Sequence, residues 1–134
     1  MAEDMTFLPK SAVLSIEEMS ELAERFVARG IRRIRLTGGA PLGGRGIDTL
    51  AMRLPAPVGH GLDELTLTTN AMRLAEHASM LAAAGVRRIN VSLDTLDPAA
   101  FRHITRVGGL DVALGGVDAA RAARPASKIN MVAL

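Results

Sequence analysis

One seven-residue phrase occurs twice in this chain, and it restricts the fold more than any other feature. Gly30-Ile31-Arg32-Arg33-Ile34-Arg35-Leu36 recurs almost unchanged as Gly85-Val86-Arg87-Arg88-Ile89-Asn90-Val91. A looser copy, Gly61-Leu62-Asp63-Glu64-Leu65-Thr66-Leu67, lies between them. Each copy reads as a glycine, a short polar turn and a strand. Before the first and third copies the spacing predicts a helix that the glycine ends as a left-handed residue just past the last turn. Ser15 with Glu18 predicts a capping box for the first helix, with Leu14 and Met19 at the staple positions. Met19, Leu22, Ala23, Phe26 and Val27 follow at helical spacing. Asp97-Pro98 reads as an N-cap with proline in the first turn, leading to Phe101 and Ile104. Gly108-Gly109 interrupts, helix resumes from Leu110 to Arg124, and Pro125 stops it. A fourth strand is expected to begin at Lys128-Ile129-Asn130-Met131.

Helix and strand thus alternate four times, which implies an α/β fold with a parallel sheet and right-handed crossovers. The chain's 134 residues suffice for one domain with a real core, so residues 1–134 are read as a single unit. With three Phe and no Trp or Tyr, that core must be aliphatic.

Strand periodicity then separates an open sheet from a barrel. Parallel strands covered by helices on both faces read as continuous apolar runs. These strands alternate instead. Ile34 and Leu36 oppose Arg35 and Thr37, and Leu65 and Leu67 oppose Thr66 and Thr68. Ile89, Val91 and Leu93 oppose Asn90, Ser92 and Asp94, and Ile129 and Met131 oppose Lys128 and Asn130. Helices can cover only the apolar face, so the polar face is either a lined cavity or an unusual exposed surface, and a partial or full barrel with a polar interior fits best. Chemistry in such folds sits at the C-terminal strand ends. Those ends carry Thr37-Gly38-Gly39, Thr68-Thr69-Asn70 and Ser92-Leu93-Asp94.

Each loop has two readings. Gly38 and Gly39 either let backbone N–H groups approach a phosphate or carboxylate, or only form a tight turn. The polar strand face favours binding. Gly43-Gly44-Arg45-Gly46 matches neither the P-loop nor the dinucleotide fingerprint. Arg35, taken as buried mid-strand, needs an acid or an anion, and Lys128 poses the same question. An internal ion pair, for instance with Asp94, is the structural alternative. Thr66, Thr68 and Thr69 are also favourable strand residues. His60, His77 and His103 are far apart in sequence and predict no metal site.

The bulk composition excludes several classes. The formal charge is +2, and no basic run carries interleaved aromatics, so nucleic acid is not an expected partner. The basic residues are arginines except Lys10 and Lys128, which suits an anionic small molecule as well as solvated helix faces. Cysteine is absent, which removes disulfides, thiolate zinc sites, cysteine nucleophiles and cysteine-ligated clusters. The first ten residues have no apolar signal-peptide core, and no run reaches membrane-spanning length, so a cytoplasmic protein is expected.

Several segments, in order along the whole chain, carry a family resemblance: Phe7-Leu8-Pro9-Lys10, Arg35-Leu36-Thr37-Gly38-Gly39-Ala40-Pro41-Leu42 and Thr68-Thr69-Asn70. Asn90-Val91-Ser92-Leu93-Asp94-Thr95-Leu96-Asp97-Pro98, Ile104-Thr105-Arg106 and Lys128-Ile129-Asn130 continue it. Together they resemble the radical SAM family of GTP 3′,8-cyclases, lyases of molybdenum cofactor biosynthesis. The resemblance implies a partial parallel (β/α) barrel, here about four strands and four helices. It also implies a [4Fe–4S] cluster and S-adenosylmethionine that generate a radical to start the rearrangement of GTP. Carried over by position, Arg35, Thr68 and Lys128 would contact GTP, while Gly38, Gly39 and Ser92 would line the S-adenosylmethionine site.

The departures are equally specific. Met1-Ala2-Glu3-Asp4-Met5 resembles the residues that follow the family's CxxxCxxC loop, so that loop, the strand before it and the rest of the barrel are expected to lie outside this chain. Gly39-Ala40-Pro41 lacks the family's glutamate, and Arg45 is a displaced candidate for the arginines expected after Leu42. Asn70-Ala71 replaces Asn-Gly, which strains any left-handed backbone there. The chain alone is therefore expected to be inactive. The remaining expectations are a GTP-binding module, a homo-oligomer, or a fragment that pairs with missing barrel segments.

Overall fold

A computed structural model of the chain describes residues 13–37, 42, 46–54 and 61–132. Nine elements follow one another among them: α1 (Ile16–Ala28), β1 (Arg33–Leu36), α2 (Ile47–Arg53), β2 (Glu64–Thr69), α3 (Leu74–Ala83), β3 (Val86–Ser92), α4 (Pro98–Thr105), α5 (Leu110–Ala122) and β4 (Ala126–Asn130). The four strands pair in parallel in the order β1-β2-β3-β4. This is the α/β alternation expected of a partial barrel.

Local sequence explains the boundaries. Ser15 Oγ accepts from the Glu18 N–H at 3.2 Å, and Glu18 Oε2 accepts from the Ser15 N–H at 2.7 Å, closing the capping box of α1. At the other end Gly30 (φ +96°) donates to Val27 O at 2.9 Å and Ile31 donates to Phe26 O at 3.0 Å, a Schellman turn. Gly85 (φ +84°) ends α3 in the same left-handed manner. Asp97 caps α4 by accepting from the Ala100 N–H at 2.6 Å, with Pro98 in the first turn.

Five helices are present among the described residues where about four were expected. The Leu110 segment is not a continuation of the Pro98 segment but a separate helix. Arg106 turns left-handed (φ +61°), and Thr105 Oγ1 donates to Phe101 O at 2.8 Å and Val107 O at 3.0 Å. α5 also ends two residues short of Arg124. β4 begins at Ala126, two residues before Lys128, and Met131 lies beyond its last paired residue.

The core lies between the helices and one face of the sheet. Leu62, Leu65, Leu67, Leu74, Leu81, Ile89 and Val91 are fully buried, each such side chain contributing about 1.5–3 kcal/mol. α5 crosses α3 closely enough that a Cβ at Gly116 would lie 2.5 Å from the Ala71 carbonyl oxygen. Covering stops at β4, where all five residues are exposed and Ile129 retains half its surface.

Candidate functional site

The sheet face away from the core is built by register, with Thr66 and Asn90 on it buried. Arg35 pairs with Thr66, Thr66 with Arg88, Thr68 with Asn90, Asn90 with Lys128, and Ser92 with Asn130. Side chains alternate along a strand, so these eight residues share one face, as the sequence alternation predicts. Arg35, Thr68, Ser92 and Lys128, the described candidates for nucleotide and cofactor contact, are all among them. Gly38, Gly39 and Arg45 lie outside the described residues, as does His60.

Charge compensation differs across this face. Glu64 serves two cations, its carboxylate lying 3.1 Å from Arg88 Nη2 and 3.9 Å from Arg33 Nε. It does not reach the outer strands, where Arg35 lies in the same register row as Arg88 and Lys128 one strand beyond. Neither Arg35 nor Lys128 makes an ion pair among the described residues, and both are exposed. The expectation that Arg35 is buried mid-strand is therefore corrected. It lies on β1, which is at the edge of the sheet among the described residues, and that position leaves one flank of its side chains exposed. The suggested Asp94 ion pair does not form either, because Asp94 Oδ1 accepts from the Val132 N–H at 2.9 Å. Three inter-strand steps and a two-residue offset in register put the backbones of the two cations roughly 16 Å apart, with Thr66, Thr68 and Asn90 between them. Two uncompensated cations bridged by hydroxyl and amide groups suit an elongated anion that also offers hydrogen-bonding groups.

The loop after β2 is held by its own side chains. Thr69 Oγ1 accepts from the Ala71 N–H and Asn70 Oδ1 from the Met72 N–H, both at 3.2 Å. Between them Ala71 is left-handed (φ +64°) and fully buried. Such a backbone costs about 1–2 kcal/mol in an L-residue, as the missing glycine implied. Thr66 Oγ1 lies 3.5 Å from Ile34 O, a long contact across the strand pair. Thr69 thus has a structural duty, whereas the Thr68 hydroxyl makes no hydrogen bond with another described residue.

Two features are not evident from strand and helix spacing alone. The β2–β3 ladder shifts between Leu65 and Thr66, leaving Arg87 as an extra residue on β3. Its trace in the sequence is the three-residue gap from Val86 to Ile89, where strict alternation gives two. The second is a helix-layer clasp. His77 Nδ1 lies 2.7 Å from Asp48 Oδ1, tying α3 to α2, and Arg73 donates to Leu42 O at 2.8 Å. Arg73 also donates to Glu76, which holds that carboxyl below the usual carboxylate range. His77 is buried, and its Nε2, 3.9 Å from Glu76 Oε2, makes no hydrogen bond among the described residues.

No thiolate exists in this chain to hold a cluster. Among the described residues no three His, Asp or Glu side chains converge on a metal position. No described helix is long and apolar enough to cross a membrane.

Residues 2–134 match the radical SAM superfamily. The GTP 3′,8-cyclase of Rhizobium etli is 55% identical over 134 residues, which is all of this chain and 38% of that protein. The GTP 3′,8-cyclases of Bradyrhizobium diazoefficiens and Caulobacter vibrioides are each 56% identical over 135 residues, again all of this chain and 39% of theirs. The chain thus spans about two fifths of the length of the curated relatives it matches. Together with a parallel sheet that keeps one polar face, a match over nearly every residue supports one assignment: the chain belongs to the radical SAM superfamily.

Proposed function

We propose that residues 1–134 form one partial barrel domain, the GTP-facing wall of a GTP 3′,8-cyclase-type enzyme, acting in the cytoplasm in molybdenum cofactor biosynthesis. The observation that carries this reading is the convergence of Arg35, Thr68, Ser92 and Lys128 on one sheet face, with both cations uncompensated. Arg35 and Lys128 bind the anionic substrate, and Thr68 orients it by hydrogen bonding. Arg35 offers a planar fork for phosphate, whereas Lys128 acts as a point charge. Ser92, with Gly38 and Gly39, belongs to the S-adenosylmethionine side of the cavity.

A [4Fe–4S] cluster does not fit the residues of this chain. Its ligands are thiolates, and the chain has none. The radical step therefore needs a cysteine-bearing segment from elsewhere, and this chain alone contributes substrate binding.

Titration calorimetry of GTP and ATP against the full chain tests the reading. GTP is expected to bind in preference to ATP, and Arg35→Ala to weaken it by about tenfold or more, as loss of a charge-assisted hydrogen bond implies. No heat of binding at millimolar GTP would sink the proposal.

A further inference from the structure

Asn90 combines two properties that seldom go together, burial and an amide without a partner. It stands on β3, inside the sheet, with β2 on one side and β4 on the other, and is only 5% exposed. Its side chain makes no hydrogen bond with another described residue. Yet its Oδ1 and Nδ2 are not sealed in, because among the described side chains His77 Nε2 alone is both enclosed and without a hydrogen bond. The little surface that Asn90 keeps is therefore shared by its polar atoms, on the face that carries Arg35, Thr68 and Lys128.

Packing does not account for an amide at this position. Ile89 and Val91, its neighbours in β3, are fully buried on the opposite face, so the strand has its core contacts without it. A leucine of similar size would fill the same space and leave no polar group unmatched.

The register row indicates what the amide can bind. Asn90 pairs with Thr68 on β2 and with Lys128 on β4. Strands roughly 4.8 Å apart thus line up a hydroxyl, an amide and an ammonium. The ammonium suits a phosphate as a point charge. The amide carries two donor hydrogens and an acceptor oxygen, so it matches a group that itself both donates and accepts. In a nucleotide the part joined directly to the phosphates is the sugar, and its hydroxyls do both. Thr68 offers the same kind of contact one strand away, as a neighbouring pair of hydroxyls requires.

We propose that Asn90 hydrogen-bonds a sugar hydroxyl of the nucleotide held by Lys128, and so makes the site selective for ribonucleotides over deoxyribonucleotides. The inference rests on the nucleotide reading of this face and adds the part of the nucleotide that β3 selects. A ligand lacking that hydroxyl leaves a buried amide unmatched, the condition under which hydrogen-bonding sites discriminate most strongly.

Titration calorimetry of the full chain with GTP, 2′-deoxy-GTP and 3′-deoxy-GTP tests the proposal, with Asn90→Leu as the variant. GTP is expected to bind at least about tenfold more tightly than one of the two deoxy forms. Asn90→Leu should abolish that difference and keep the preference for GTP over ATP, which reports the base. Its midpoint in urea should be unchanged or higher, because the amide has no bond within the described chain to lose. Equal binding of GTP and both deoxy forms, a difference that survives Asn90→Leu, loss of the base preference in its place, or a lowered urea midpoint would overturn it. GTP bound without regard to its sugar would refute the role of Asn90 and spare the nucleotide reading, whereas no binding of any of these nucleotides would refute both.

Discussion

Gly115 and Gly116 are neighbours on α5 with opposite freedom. Nothing lies within 4 Å of a Cβ built at Gly115, whereas one at Gly116 meets the Ala71 carbonyl oxygen at 2.5 Å and Leu74 Cβ at 3.1 Å. Gly115→Ala should stabilise the fold by about 0.5–1 kcal/mol through helix propensity. Gly116→Ala should destabilise it by about 1–3 kcal/mol through overpacking. Urea denaturation of the two variants gives shifts of opposite sign if α5 crosses α3 as described. The obstacle at Gly116 is the same buried, left-handed Ala71 whose strain is readable from the sequence, because alanine stands where a glycine is expected. Arg35 marks the limit of such reading. A residue's alternation identifies its face, but its burial depends on which strands flank it, and that is a property of its neighbours.

Among the elements, those with local causes were the legible ones. Caps at Ser15 and Asp97, turns at Gly30 and Gly85 and the alternation of four strands are each written in residues a few positions apart. Ser15→Ala removes one half of the α1 box and should cost about 1 kcal/mol, measured as a lowered midpoint in urea with unchanged slope. The parts that escaped depend on pairing between distant segments. The doubled arginines illustrate this. In β1, Arg33 opens the strand and pairs with Glu64, while Arg32 turns back to Gly61 O at 2.7 Å. In β3 the same dipeptide puts Arg87 outside the ladder and Arg88 opposite Thr66. Identical residues thus take different places because β2 lies between them. The candidate site was legible for the same reason as the strands: Arg35, Thr68, Ser92 and Lys128 follow from alternation, and the family resemblance selects them from the polar face. The His77–Asp48 contact, 29 residues apart in sequence, had no local signal.

For the whole molecule, family membership and chemistry part company. A chain without cysteine should stay colourless after anaerobic reconstitution with iron and sulfide, and should release no deoxyadenosine from S-adenosylmethionine. A stable cluster absorbance would contradict the absence of a thiolate ligand set for iron in this sequence. The strand order carries a last consequence, one that concerns synthesis. Because β1, β2, β3 and β4 lie side by side in the order they are made, each new strand finds its partner already in place as it leaves the ribosome. No strand waits for one made much later, so the sheet can be laid down one unit at a time. Every arrested intermediate then ends in the same kind of bare edge, and premature stops at different crossovers should share a single route to aggregation rather than a variety of them.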